Sequence, residues 1–415
     1  VKVMVWQMPP SSNGSNKRFE FEVWDSWGHI INPINSMRKR GCTITMPLQS
    51  IRVLDLSRLL PGPFCTMILA DFGAEVIKIE EPEYGDYARG YEPKVDHTSV
   101  MFHSLNRNKK SVALNLKEED DQQKFLELVK EADVLVESFR PGVMERLGLH
   151  YEVLKEINPR LVYCAITGYG QTGPYAHLPG HDINYISYAG LLHLMGEREG
   201  KPIVPSVQVA DIGGGAYPAV VGILLALMER EKSGQGQFVD ISMMDGVLCW
   251  LQATLPNYLM TGEEVKRGEQ MLSGGLACYE VYQTKDGRWI SVGALEPKFW
   301  KVFCETIGKQ EYMGKQFVPI DEQYRMKHEI QSIIFTKTLD EWMELFKKVE
   351  ACVSPVLSFS ELEKNPQVQS RKMIQEKQNL KYISNPIKLS RTPGAIQSRA
   401  PKLGEHNDVF LKKEE

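Results

Sequence analysis

This sequence predicts an α/β fold: a Rossmann-like, mostly parallel sheet with helices on both faces, joined to a smaller α/β domain. Three observations predict it. From Ile51 onward, short runs of β-branched and other apolar residues alternate with helical stretches. The loops between them are short and marked by Gly or Pro, as connections in α/β units are. A second block with its own hairpin signal starts near residue 270, and a chain of 415 residues, 42% of them hydrophobic, is long enough to build two cores.

The elements follow in order. IRVLDLS, from Ile51, reads as a strand, LPGP breaks it, FCTMILADFG reads as an apolar helix and EVIKIEE as the next strand, which makes one βαβ unit. The alternation repeats with SVALNLK (111–117) as a strand and EEDDQQKFLELVKEA as a helix whose acidic first turn suits the positive end of the helix dipole. DVLVESF and LVYCAITGYG (161–170) are further strands. GAYPAVVGILLALMERE is a helix whose longest apolar run, Ala216 to Met228, falls short of the roughly 20 residues a bilayer crossing needs, so it reads as buried and no membrane partner is expected. FVDISMMDGVLCWLQATL switches from strand to helix near Ser242, and CYEVYQTKDGRWISVGAL reads as two strands around a KDG turn, followed by the helices FWKVFCETIG and LDEWMELFKKV. The expected division is a large domain over 46–245, a linker over 246–269, a small domain over 270–370, and a tail (371–415) that returns to complete the large one. Residues 1–45, with their PPSSNGSN cluster and no sustained period, are expected to be a peripheral or disordered extension.

Composition removes several function classes. Net charge is −4 with the positive residues spread along the chain, which speaks against a nucleic-acid surface. The seven cysteines are dispersed and never in C-x-x-C spacing, so neither a disulfide framework nor a zinc site is expected, and a reducing cytosol is the expected compartment.

Four ionisable residues carry the chemical signal: His181 and Asp182 in PGHDINY, Asp211 in VADIGGG, and Glu296 in VGALEP. Each ends an apolar run or adjoins Gly or Pro, where an α/β enzyme presents side chains to a cleft. One imidazole and three carboxylates suit proton transfer. Plainer readings stand beside this one: His181 as a turn histidine, Asp211 as the N-cap of the helix after GGG, and Glu296 as a charge at a helix start. The first βα turn, LPGPF, lacks the second and third glycines of a dinucleotide fingerprint, although Glu80 stands at about the ribose-binding offset from Gly62, so no nicotinamide or flavin cofactor is expected. CoA, as part of the substrate, is the adenine nucleotide that fits. Its phosphate-binding candidates are Arg107, Lys109 and Lys110 in NRNKK, and Arg140 and Arg146 in FRPGVMERLG, whose other reading is solvated surface charge. Tyr185, Met243, Met244, Gly274 and Gly275 are the candidates for contact with an acyl group; plain packing is the other reading of the methionine pair.

RVLDLSRLLPGPFCTMILADFGAEVIKIE, NRNKKSVALNLK, DVLVESFRPGVMERLG, ITGYGQTGP, GHDINY and DGRWISVGALEP stand in the order of the family III CoA-transferases, the CaiB/BaiF family, and the chain resembles them from about Pro47 to Arg391. Within that family it is most similar to the α-methylacyl-CoA racemases. The resemblance implies that His181 and Asp211 act as bases on opposite faces of an α-carbon, that Glu296 supports His181, and that the backbone N–H of Asp182 holds the thioester enolate. In transferases of the family, the residue at the position of Asp182 carries the acyl group as an anhydride and then a CoA thioester. The resemblance also implies two chains interlocked as rings, an obligate homodimer, with Glu296 supplied by the partner subunit. Two departures stand out: Glu81 occupies a position where the family often has a basic residue, and LSGGLACYE has only Gly274 and Gly275 where transferases tend to have a longer glycine loop. Racemisation of 2-methylacyl-CoA thioesters is the expected activity, with CoA transfer through Asp182 and a silent acyl-CoA-binding paralogue as alternatives.

Overall fold

The computed structural model describes residues 46–411 and, before them, a pair of two-residue strands at Val23–Trp24 and Ile30–Ile31. The expectation for 1–45 as an extension lies otherwise outside the described residues. The large unit is built on six parallel strands: β1 (Arg52–Asp55), β2 (Glu75–Glu80), β3 (Lys109–Ala113), β4 (Val134–Glu137), β5 (Val162–Thr167) and β6 (Phe238–Ser242). Their spatial order is β3-β2-β1-β4-β5-β6. That order is the doubly wound one: the chain leaves β1 in one direction, returns, and leaves β4 in the other, so a crevice opens at the carboxyl ends of β1 and β4.

Both faces of the sheet are covered, which is why its strands read as near-continuous apolar runs. One face packs α1 (Pro61–Asp71) and α6 (Tyr217–Ser233) in a core that includes Val53, Ile68, Val136, Ile166 and Ile223. The other packs α3 (Glu119–Lys130) and α4 (Tyr151–Ile157) against Leu54, Ile77, Leu135 and Tyr163. A short helix, α2 (Val100–Leu105), leads into β3. The strand at NRNKKSVALNLK starts two residues earlier than its apolar pattern suggests, because the Lys109 ammonium is neutralised inside the protein. It donates to Asp55 at 2.9 Å, and both side chains are fully buried. Burial draws Lys109 down to about 8 against the pull of Asp55. Burial also works to raise the Asp55 carboxyl, but Lys109 and Lys78 hold it well below the usual carboxylate range.

After β5 the chain forms α5 (Asp182–Tyr188), and after β6 it forms α7 (Met243–Cys249) and α8 (Leu255–Thr261). Residues Val209–Ala216, which contain GGG, form a π-helical segment continuous with α6. This corrects one expectation: the joined Val209–Ser233 helix is long and apolar enough to cross a membrane by composition alone. Half of its apolar window is buried in the protein, however, with Ala219, Ile223 and Leu227 in the sheet core.

The small unit has an antiparallel sheet of β7 (Tyr279–Gln283), β8 (Trp289–Gly293) and β9 (Val353–Pro355). Its separate core gathers Trp300, Phe303, Ile330 and Trp342 from α9 (Pro297–Ile307), α10 (Ile320–Ile334) and α11 (Leu339–Phe346). The tail forms a hairpin of β10 (Ile374–Lys377) and β11 (Leu380–Ile383) and then returns to the large unit, where the Asn407 side chain accepts from the Ala113 N–H at 2.9 Å on edge strand β3.

Glycine lets the π segment and α7 touch backbone to backbone. A methyl group on Gly246 would overlap the carbonyl of Gly214, and one on Gly213 would overlap the Trp250 ring. Gly246→Ala is therefore expected to destabilise the protein by about 1–3 kcal/mol, as overpacking does, read as a lower urea midpoint with unchanged slope; an unchanged midpoint would show that this crossing is loose.

Candidate active site

Three of the four predicted ionisable residues come together at the carboxyl end of β5. The loop after β5 ends at His181, the exposed N-cap of α5, whose backbone N–H donates to the Asn184 side chain at 3.0 Å. Asp182 opens the helix. Its Oδ1 accepts from the backbone N–H groups of Ala210 at 2.6 Å and Asp211 at 3.0 Å. The carboxylate thus caps the free N–H groups that open the π segment, as a helix end requires. Asp211 is not the cap the sequence suggested: it lies inside the π segment, whose N-cap is Gln208, and the capping oxygen comes from a residue 29 positions earlier.

The Asp211 side chain is mostly withdrawn from solvent. Burial, reinforced by the nearby Asp182 charge, pushes its carboxyl up to about 7. It can therefore both give and take a proton near neutrality. Below the pair sits Tyr185, buried, with its hydroxyl donating to the Gly180 carbonyl at 2.5 Å; burial and then Asp211 push it up to about 12. Tyr169 meets Tyr185 edge-on at 5.2 Å between ring centroids, and Tyr175 and Tyr188 continue this aromatic cluster toward solvent.

Glu296 takes the position its sequence context suggests, as N-cap of α9 with Pro297 behind it. It is exposed, and among the described residues its side chain makes no hydrogen bond or ion pair with His181, Asp182 or Asp211 within the chain. Gly274, at φ +86°, and Gly275 lie in the turn that leads into the small unit, where the Lys327 ammonium donates to the Gly274 carbonyl.

The structure corrects several binding candidates. Arg107 is buried and bidentate on Asp71, at 3.0 and 2.8 Å, so it braces α1 and presents nothing to a phosphate. Lys110 pairs with Glu75 at 2.5 Å, at the amino end of β2, the wrong end of the sheet for a ligand. Lys109 is consumed by Asp55, as described. Met243 is buried in the main core, so it is packing and not an acyl surface, while Met244 lies half-buried against that core. Arg140 and Arg146 are exposed beyond the carboxyl end of β4. Arg140 lines a cavity of about 310 Å³ with Glu137, His150, Tyr151, Gln171 and Phe238. Burial pushes the Glu137 carboxyl up to about 8, against a hydrogen bond from the Phe139 N–H, with Glu145 and Asp240 adding to the rise. Sequence reasoning missed one cation, Arg58, in the turn after β1; the signal available for it was an arginine inside the first βα turn itself. Among the described residues, no cluster of His, Cys, Asp or Glu side chains is arranged to hold a metal ion.

Comparison with known proteins places this geometry. The model of CoA-transferase family III matches residues 48–407. The chain belongs to that family. It is 36% identical over 370 residues to the human α-methylacyl-CoA racemase, spanning 88% of this chain and 93% of that protein. It is 37% identical over 379 residues to the acetyl-CoA:oxalate CoA-transferase of Acetobacter aceti, spanning 88% and 95%. The fold superposes on the crystal structure of a CaiB/BaiF family protein from Brucella suis with a TM-score of 0.80, at 30% identity, covering 88% of this chain and 98% of that one. The family thus makes the chain an enzyme of the CoA-transferase/racemase type, and acyl-CoA is the substrate class consistent with it.

The raised Asp211 carboxyl fixes the sign of a pH effect. Between the ordinary carboxylate range and about 7, the folded protein holds a proton that the unfolded chain has released, so stability falls as pH rises through that window and levels off above it. Asp211→Asn should remove this dependence and be relatively more stable than the parent at pH 8 than at pH 4, measured by urea unfolding at both. Parallel pH profiles for the two proteins would contradict the assignment.

Proposed function

We propose that this family III enzyme racemises or epimerises the α-carbon of 2-methylacyl-CoA thioesters by removing a proton on one face and returning one on the other. The observation that carries this reading is the pairing of the two site segments through Asp182. Its carboxylate is engaged in holding the π segment, and the residue held there, Asp211, titrates near neutrality. A two-base reaction needs one group ionised and the other protonated at the same pH, and an imidazole opposite such a carboxyl meets that need. In one direction Asp211 takes the α-proton and His181 gives one; in the other the roles exchange. The enolate oxygen formed between them would be held by the backbone N–H of Asp182, which has no acceptor within the chain among the described residues.

An assembled site needs a second copy of the chain. Among the described residues the Glu296 side chain has no hydrogen bond or ion pair, and the outer stripe of α6, Val221, Leu225 and Met228, is 56–66% exposed, a spacing that suits a helix covered by another subunit. In an obligate homodimer, the partner's Glu296 would hold and orient the His181 imidazole. The cytosol remains the compartment that fits the unpaired cysteines, and lipid metabolism the setting that fits the substrate class.

A second reading is CoA transfer between carboxylic acids with Asp182 as acyl carrier. Its support is that Asp182 Oδ2 accepts no hydrogen bond among the described residues, together with the identity to the oxalate CoA-transferase. Exchange in D2O separates the two. Incubated with a 2-methylacyl-CoA and followed by proton NMR, the enzyme should lose its α-proton signal, and His181→Ala or Asp211→Asn should slow that loss by about 100-fold or more, the scale of general acid–base catalysis. No exchange, with CoA passing to an added carboxylate, would establish the second reading instead.

A further inference from the structure

We propose that Arg58 is the anchor for a phosphate on the nucleotide end of the CoA thioester, an inference that rests on the acyl-CoA reading above. Arg58 lies in the turn that follows β1, at the edge of the crevice where the strand order reverses. Its guanidinium carbon is 5.2 Å from the centre of the Tyr87 ring and 5.4 Å from that of Phe139, and its Nη1 donates to the Tyr87 hydroxyl at 3.2 Å. Phe139 follows β4, so the cation is held by rings from both sides of the crevice. Such bracketing restricts the side chain before any ligand arrives, while the plane of the guanidinium keeps its remaining donors free for an oxyanion.

The backbone beneath it is fixed at three consecutive residues. The Ser57 carbonyl accepts from Lys78 at 2.8 Å, the Arg58 N–H donates to the Ser138 hydroxyl at 3.3 Å, and the Leu59 N–H donates to Asp86 at 3.0 Å. Leu59 is held in the left-handed region at φ +64°, a conformation that persists only where the surroundings impose it. Lys78 and Asp86, which anchor this turn, are themselves a buried pair at 2.9 Å.

Charge distribution separates Arg58 from its neighbours. Arg52, Lys78, Arg89, Arg107, Lys109 and Lys110 are each paired with a carboxylate. Arg58 is in no ion pair among the described residues, although Glu81 feels its charge. Arg140 and Arg146 are exposed beyond β4, at the same end of the sheet, and Arg58 supplies a positive charge where Glu81 does not. CoA offers two phosphate groups of the right chemistry, the pyrophosphate and the 3′-phosphate, and both suit a planar guanidinium.

The test is calorimetric binding of a 2-methylacyl-CoA, its 3′-dephospho form and the corresponding acyl-pantetheine to the full-length protein, Arg58→Ala and Arg58→Lys. The expected result is a loss of about 10-fold or more in acyl-CoA affinity for Arg58→Ala, a smaller loss for Arg58→Lys, which keeps charge without the stack, and unchanged affinity for acyl-pantetheine. A loss that persists with the 3′-dephospho thioester places the contact at the pyrophosphate, and one that disappears places it at the 3′-phosphate. Equal losses on all three thioesters would make Arg58 merely structural and overturn the proposal, as would no loss on any. If the parent protein binds no acyl-CoA at all, the acyl-CoA reading itself falls, and the proposal with it.

Discussion

The site depends on one side chain joining two segments that the sequence keeps apart. The Asp182 carboxylate, at the start of α5, receives the N–H groups of Ala210 and Asp211 at the start of the π segment. Without an acceptor there, these two backbone donors at the mouth of a long, half-buried helix would lack partners, a cost on the order of 1–3 kcal/mol each where water is excluded. Because His181 precedes Asp182 and Asp211 donates to it, the same bond that satisfies the helix end also sets the relation between the two proposed bases. The Asp182 charge, second to burial, helps to keep Asp211 protonated near neutrality. Structure and proton chemistry therefore share one carboxylate.

The surroundings make that bond possible. The glycine triplet lets the π segment approach α7 so closely that the Gly214 carbonyl meets Gly246. Met243, drawn into the core, fills the space beside Gly215. Below, the all-parallel sheet delivers β5 and β6 with their carboxyl ends on the same side, so the loop bearing Tyr169 and His181 converges with the start of α7 at Met244. On the far side of the same edge, the buried Asp55–Lys109 and Lys78–Asp86 pairs hold the first βα turn and Arg58 above it. Buried pairs of this kind contribute little net stability, but they are costly to break singly, which suits a turn whose geometry must not drift.

Much of the fold was legible in the sequence, because alternating apolar strands and amphipathic helices announce a parallel sheet. Glu296 ahead of Pro297 was readable as a helix start for the same local reason. What was not legible is non-local. Asp211 looked like its own helix cap, since nothing near it in sequence tells that Asp182 fills that place. Arg107 and Lys110 looked like loop cations, and only folding brings Asp71 and Glu75 to them. Arg58 passed unnoticed because its distinction, among the described residues, is the absence of a carboxylate partner, which a sequence does not display. Met243 shows the converse: a residue open to a functional reading turned out to be core.

In the proposed reaction the Asp182 side chain positions the proton-transferring pair and does not carry the acyl group. The most direct test is α-hydrogen exchange in D2O by Asp182→Asn beside Asp182→Ala, with folding checked by thermal unfolding. An amide oxygen can still accept the two N–H groups, so Asp182→Asn should keep exchange within about 10-fold of the parent, while Asp182→Ala, which leaves them unmet, should lose about 100-fold or more. If the folded Asn variant is as inactive as the Ala variant, the carboxylate has a chemical role of its own and the account is wrong.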